Sequence, residues 1–184
     1  MSVYVFLADG FEEVEALTPI DFLRRAGIEL ITVSLNDDLY PTGSHNVTVK
    51  ADIRIADFAD SAPDAIICPG GMPGSANLAA NADLVALLRE SNDAGVLMCA
   101  ICAAPAVTLG RSGAGILGNR RFTCYPGFED QAGSGIYTPE RVLYDEGLIT
   151  AVGAGAAAEF SVAIIEHLKD KATASAVHTT TIQP

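Results

Sequence analysis

The sequence predicts an α/β sandwich whose central sheet is mostly parallel and covered on both faces. Three observations carry that class. Short apolar runs of strand length alternate with amphipathic helical stretches. Several runs are apolar throughout, as strands buried on both faces are. Tight turns such as Asp9-Gly10 and Pro69-Gly70-Gly71 follow the strand-like runs.

The elements follow in order. Ser2–Ala8 reads as a buried strand that ends at Asp9-Gly10. Glu12–Ala26 reads as a helix, with Val14, Leu17, Ile20 and Leu23 three apart and Gly27 as its stop. Pro19 should kink that helix or open a new first turn. Glu29–Leu35, rich in Ile, Thr and Val, is the next strand. Residues 38–56 carry Pro41, Gly43 and the alternation Val47-Thr48-Val49, which predicts a small antiparallel insert.

Ala65–Cys68 is again a buried strand, and a helix follows at Asp83–Asn92. Val96–Ile101 is a strand running into Cys102, and a helix opens there and ends near Gly113. Arg121–Tyr125 is a further strand, Val142–Asp145 and Leu148–Val152 form a hairpin around Glu146-Gly147, and Ala156–Leu168 is the last clear helix. The tail from Lys171 has little pattern. No repeat or linker divides the chain, so residues 1–184 read as one domain.

Composition narrows the function classes. Acidic residues outnumber basic ones 23 to 11, and the net charge of −12 disfavours nucleic acid and anionic membrane as partners. The apolar stretch Val3–Leu7 is too short for a signal peptide and has no basic lead, and no run reaches membrane-spanning length. Four cysteines in a chain of this size do not make a disulfide scaffold. The expectation is a reduced, cytoplasmic protein.

Cys102 is the residue on which function turns. A strand that bends sharply into a helix presents the connecting side chain at the carboxyl edge of the sheet. The helix N-terminus behind it favours negative charge, so the thiol there should tend toward thiolate. Cys68, Cys99 and Cys124 lie within strand-like runs and read as core. Cys99-Ala100-Ile101-Cys102 matches C-x-x-C only weakly, because Cys99 lies inside the strand and nothing between the two favours a tight turn. No second ligand pair supports a metal site.

Gly70-Gly71 follows a strand, so its backbone can approach a ligand and its N–H groups can face an oxyanion. Glu12-Glu13-Val14-Glu15 opens a helix, where acidic residues complement the dipole in any case; one of the three carboxyls could instead face Cys102, and spacing alone does not choose it. His45, His167 and His178 have no neighbours of a recognisable triad.

These pieces resemble the ThiJ/PfpI family, specifically the branch of the Parkinsonism-associated deglycase. The matching segments are Ala8–Glu15, Arg24-Arg25-Ala26-Gly27-Ile28, Pro69-Gly70-Gly71, Ala100-Ile101-Cys102-Ala103-Ala104-Pro105, and Glu159-Phe160 leading into Ile164-Ile165-Glu166. The resemblance implies a flavodoxin-like three-layer sandwich of the class I glutamine amidotransferase-like type, usually a homodimer, with Cys102 as nucleophile. It selects Glu15 as the carboxyl beside the thiol and the Gly71 and Ala103 amides as an oxyanion hole. Gly70, Tyr125 and His45 are by position the candidates for binding substrate.

Three departures stand out. Ala103 replaces the histidine that follows the nucleophile in protease-like members, which argues against peptidase activity. Cys124-Tyr125-Pro126 occupies the stretch where the deglycase branch often places a histidine, and Tyr125 is a poor base at neutral pH. Ser44-His45-Asn46 stands where human-like members carry an arginine. The last two bear on turnover rate and on anion recognition.

The expectation is a glyoxalase- or deglycase-type enzyme acting on small α-oxoaldehydes with no added cofactor and no metal. The main rival is a peroxide-sensing redox or chaperone protein in which Cys102 is oxidised to sulfinate. A hydrolase of an ester or amide is a third possibility.

Overall fold

Alternation along the first strand builds the two sides of the molecule. In the computed structural model, which describes residues 1–59 and 62–183, β1 (Ser2–Leu7) sends Val3, Val5 and Leu7 into one core cluster and Tyr4 and Phe6 into another. The first cluster is closed by α1 (Glu13–Arg25), with Ala16, Ile20 and Leu23 inward. β2 (Glu29–Ser34) and the two-residue edge strand β3 (Ile53–Arg54) extend the sheet from there. After β4 (Ala65–Cys68) come α2 (Gly74–Ala80) and α3 (Ala82–Asp93), whose Leu78, Leu84 and Leu88 fill the second cluster.

β5 (Leu97–Ile101) leads to α4 (Ala104–Val107). Beyond it lie β6 (Arg121–Phe122), β7 (Ile136–Tyr137), β8 (Val142–Asp145) and β9 (Leu148–Ala151). The helices α5 (Ala157–Leu168) and α6 (Lys171–Thr180) return to the first cluster through Phe160, Ile164, Ile165, Ala174 and Val177. The main sheet has the order β3-β2-β1-β4-β5-β9-β8, parallel except for the β8–β9 pair. Helices cover both faces, the α/β sandwich predicted from the sequence. Among the described residues, no helix is long and apolar enough to cross a membrane.

Several local expectations change. α1 runs unbroken through Pro19. The helix expected from Cys102 to Gly113 is only the four residues of α4. Its hydrogen bonds leave the helical pattern just after it, where Leu109 N–H donates to Ala104 O (3.0 Å), five residues back instead of four. The Arg121–Tyr125 strand shrinks to β6, which pairs in parallel with β7 in a separate ribbon. The insert is an antiparallel arm reduced to one bridge, Thr42 with Thr48, supported by Val49 N–H to Pro41 O (3.1 Å) and Ala51 N–H to Leu39 O (2.8 Å).

Two helices were not foreseen. α2 is built of small residues with a single buried leucine, so it shows no apolar stripe. α6 is capped by the Asp170 carboxylate, which accepts from Thr173 N–H at 2.7 Å, and it buries only Ala174 and Val177.

Candidate active site

Four neighbouring strands, β1, β4, β5 and β9, run the same way and end at one edge of the sheet. The winding direction reverses between β1 and β4, which opens a crevice at their carboxyl ends. Each strand end contributes to the site: the turn before α1, the Pro69–Gly74 turn, Cys102, and the Val152–Ala154 loop.

Cys102 follows β5 directly and has φ +64°, a left-handed backbone that a non-glycine residue adopts at a cost of roughly 1–3 kcal/mol. Neighbours hold it there. Its N–H donates to Ala151 O at 2.9 Å, and its carbonyl accepts from Tyr125 N–H at 2.8 Å. The elbow leaves Cys102 half-buried, whereas Cys68, Cys99 and Cys124 are buried. All four thiols are free.

Glu15 is 1% exposed and lies in the first turn of α1. Its carboxyl accepts from Gly70 N–H at 3.0 Å. It also accepts from the Ala154 amide and shares a hydrogen bond with the Cys102 thiol. The helix start is tied to the same turn, because Glu12 N–H donates to Gly70 O at 2.9 Å. Gly70 cannot be any other residue without movement. A Cβ there would lie 2.4 Å from Glu15 Oε2 and 2.5 Å from Cys102 Cβ. A Cβ on Gly71, which has φ +87°, would meet Glu12 N at 2.4 Å, and the Gly71 amide favours the charged form of the Cys102 thiol. The Ala103 amide donates to the same sulfur.

The electrostatics correct the expectation of a thiol acidified by a helix N-terminus. α4 is one turn long, so it offers little dipole. Burial, with the Glu15 charge next in effect, pushes Cys102 up to about 12 against the pull of the two amides. Burial also pushes Glu15 up to about 7, with the charge of Glu12 adding to it and the hydrogen bonds opposing it. Two carboxyl and thiol groups in one hydrogen bond titrate as a pair. The pair sheds its first proton near pH 7, and a second charge is resisted until about pH 12. Between those limits one proton is shared, with amides waiting at both ends: Gly70 and Ala154 at oxygen, Gly71 and Ala103 at sulfur.

The candidates expected to bind substrate divide. Gly70 is at the centre. Tyr125 stands at the rim, 51% exposed, with ring atom Cδ2 3.4 Å from the point a Cβ on Gly153 would occupy; Glu15 Oε1 is 3.8 Å from that same point. His45 goes elsewhere. Its Nδ1 pairs with Glu13 Oε2 at 2.8 Å, and its N–H donates to Glu13 Oε1 at 2.7 Å. Glu12, Glu13 and His45 bring donor atoms within 4.8 Å of one another. The Glu13 oxygens already take up N–H groups of the 43–47 arm, so the cluster fastens that arm to α1. Gly153 and Ala154 were missed. Neither carries side-chain chemistry, and the only signal was their place just after a strand parallel to β5.

With the site described, comparison with known proteins places the chain. The profile of the DJ-1/PfpI family matches residues 1–167. The chain belongs to that family. It is 35% identical over 170 residues to the DJ-1 homolog B of Arabidopsis thaliana, a match covering 92% of this chain and 38% of that one. The chain spans less than half the length of the two Arabidopsis relatives it matches. It is 31% identical over 160 residues to a glutathione-independent glyoxalase of Caenorhabditis elegans, covering 86% of this chain and 83% of that one. A solved DJ-1 superfamily structure from Salmonella typhimurium superposes with TM-score 0.94 at 33% identity, over 100% of this chain and 98% of that one. Similar DJ-1 structures fix the flavodoxin-like class of the sandwich.

Proposed function

We propose that this protein is a cysteine-dependent glyoxalase- or deglycase-type enzyme acting on small α-oxoaldehydes without added cofactor. One observation carries the reading: the Glu15 carboxyl stands against the Cys102 side chain, Oε2 and Cβ both within 2.5 Å of the point a Cβ on Gly70 would occupy, and the Gly71 and Ala103 amides favour charge on the sulfur. A nucleophile, a base within reach of its proton and donors for a developing anion are the parts that acyl and carbonyl chemistry requires. Relatives named as a glyoxalase and as a deglycase, at 31% and 32% identity, support the reaction class.

Each step balances with these groups. The Cys102 sulfur bonds to the aldehyde carbon as its proton passes to Glu15. The carbonyl electron pair moves to oxygen beside the two amides, and Glu15 returns the proton to give a hemithioacetal. Glu15 then removes the proton on that carbon, leaving an enediolate, and delivers it to the neighbouring carbon while the hydroxyl proton passes from the first oxygen to the second, which leaves a thioester. Water attacks the thioester, the carbon–sulfur bond breaks, and the thiol regains its proton. From methylglyoxal and water the product is lactate. Tyr125 supplies no general base at neutral pH, so turnover is slow; a well-placed base contributes about 10²–10⁴-fold.

The test is lactate made from methylglyoxal, without glutathione or metal, by native protein and by Cys102→Ser. Native protein should exceed buffer and Cys102→Ser should match it. If both match buffer across a range of oxoaldehydes, the proposal fails. The same donors suit a sulfinate on Cys102, so the redox reading then takes its place, read by mass spectrometry after mild peroxide.

A further inference from the structure

We propose that the aromatic pair Tyr125–Phe128 is a specificity device that makes this site favour aryl-bearing α-oxoaldehydes over methylglyoxal. The inference rests on the oxoaldehyde reading and names the substrate class within it.

Tyr125 is joined to the nucleophile by its main chain, through the N–H that donates to Cys102 O. Its ring is therefore rooted beside the elbow, yet half of its surface faces solvent. Phe128 braces it. That ring is half-buried against the second core cluster and meets Tyr125 edge-on, with centroids 6.3 Å apart and planes at 78°. The intervening turn is closed by Phe128 N–H to Tyr125 O at 3.2 Å and by Gly127 N–H to the Glu129 carboxylate at 2.8 Å. A braced aromatic plane offers contact area at little further entropic cost.

Gly153 puts no side chain between that plane and the reacting groups. Tyr125 Cδ2 and Cε2 lie 3.4 and 3.9 Å from where a Cβ on Gly153 would be, and Glu15 Oε1 lies 3.8 Å from the same point, so the ring and the carboxyl both adjoin Gly153. A flat group attached to a carbonyl at Cys102 can lie over Gly153 against the Tyr125 ring.

Charge points the same way. Glu15 and Glu12 are the charged groups whose fields meet at the pair, and both are acidic. Two cations close by are already paired, His45 with Glu13 and Glu12, and Arg141, which reaches Gly155 O, with Glu159. A neutral, apolar substituent fits this rim better than an anionic one.

The experiment compares kcat/KM for phenylglyoxal and methylglyoxal in native protein, Tyr125→Leu, Phe128→Ala and Tyr125→Phe. Native protein should favour phenylglyoxal by roughly tenfold, the scale of one aromatic contact with its buried area. Tyr125→Leu should reduce that ratio about fivefold, mostly through KM, and Phe128→Ala should reduce it less. Tyr125→Phe should keep the ratio, which separates stacking from the hydroxyl. A ratio unchanged in Tyr125→Leu overturns the proposal even when both substrates turn over.

Binding is read independently of turnover by whether acetophenone, an aryl ketone with neither an aldehyde nor an α-hydroxyl, slows alkylation of Cys102 by iodoacetamide. Protection in native protein that is lost in Tyr125→Leu supports the aromatic shelf even if neither aldehyde is consumed. Equal rates with and without the ketone count against it. Failure of the catalytic reading is a different result, with native and Cys102→Ser protein both at the buffer rate.

Discussion

Replacing Glu15 by glutamine should remove a loss of stability that the native protein suffers as pH rises through neutrality. Burial raises the Glu15 carboxyl from 4.5 to about 7 in the folded chain, whereas the unfolded chain keeps the ordinary value. Between those values the folded state binds more protons than the unfolded state, so stability falls as pH rises. The favourable contribution is fully present below 4.5 and is lost as pH climbs through about 7. Integrated from pH 5 to pH 8, the loss is about 2.5 kcal/mol.

Glutamine cannot ionise, so its stability should lack that slope. A constant offset remains, because its NH₂ group must face one of the amides that now donate to the carboxylate. Urea unfolding of native protein and Glu15→Gln, under reducing conditions and at one protein concentration, at pH 5, 6.5 and 8, reads the difference. Native minus variant stability should drop by about 2.5 kcal/mol across the series. The same substitution should abolish oxoaldehyde turnover. Parallel stability curves would show that Glu15 titrates as an ordinary carboxyl, and the shared-proton account of the site would be wrong.

Three further outcomes are expected. Iodoacetamide should label Cys102 before Cys68, Cys99 or Cys124, with a rate that rises through about pH 7 as the Glu15–Cys102 pair loses its first proton; peptide mapping against pH checks both the order and the midpoint. Gly70→Ala should cost about 1–3 kcal/mol and reduce turnover at least roughly tenfold, because its methyl collides with Glu15, Cys102 and the Ile101 carbonyl; denaturation and lactate assays measure it. Burial opposes ionisation of Glu13, but hydrogen bonds from His45 and Val47 hold it down at about 2. Its contribution is therefore present above 4.5 and lost as pH falls toward 2, and Glu13→Ala should raise amide exchange at residues 43–47 at neutral pH.

How much of this was legible depends on what each residue contributes. β1, β4 and β5 were readable because a parallel strand buried on both faces must be an apolar run. The hairpin around Glu146-Gly147 was readable because Gly147 supplies a positive φ between two apolar runs, although Glu146 takes φ +43° as well. α2 and α6 were not, since their few buried contacts leave no stripe to detect. In the site, Cys102 and Gly70-Gly71 announced themselves by position after strands. Glu15 could be picked from three adjacent carboxyls only through family resemblance. The protonation of the thiol was misjudged for a physical reason: its sign depends on burial and on a neighbour brought from another element, and neither is local in sequence.

The groups expected to carry charge at this site are held almost wholly by main-chain donors: Gly70 and Ala154 at the carboxyl, Gly71 and Ala103 at the sulfur. A side-chain substitution cannot delete an N–H; only proline removes one. The chemistry is thus insulated from ordinary point mutation, except where added bulk displaces the backbone, as at Gly70. The rim is not insulated. The half-exposed Tyr125 side chain can change without touching a single donor, so new substrate preferences can be sampled while the reacting pair stays as it is.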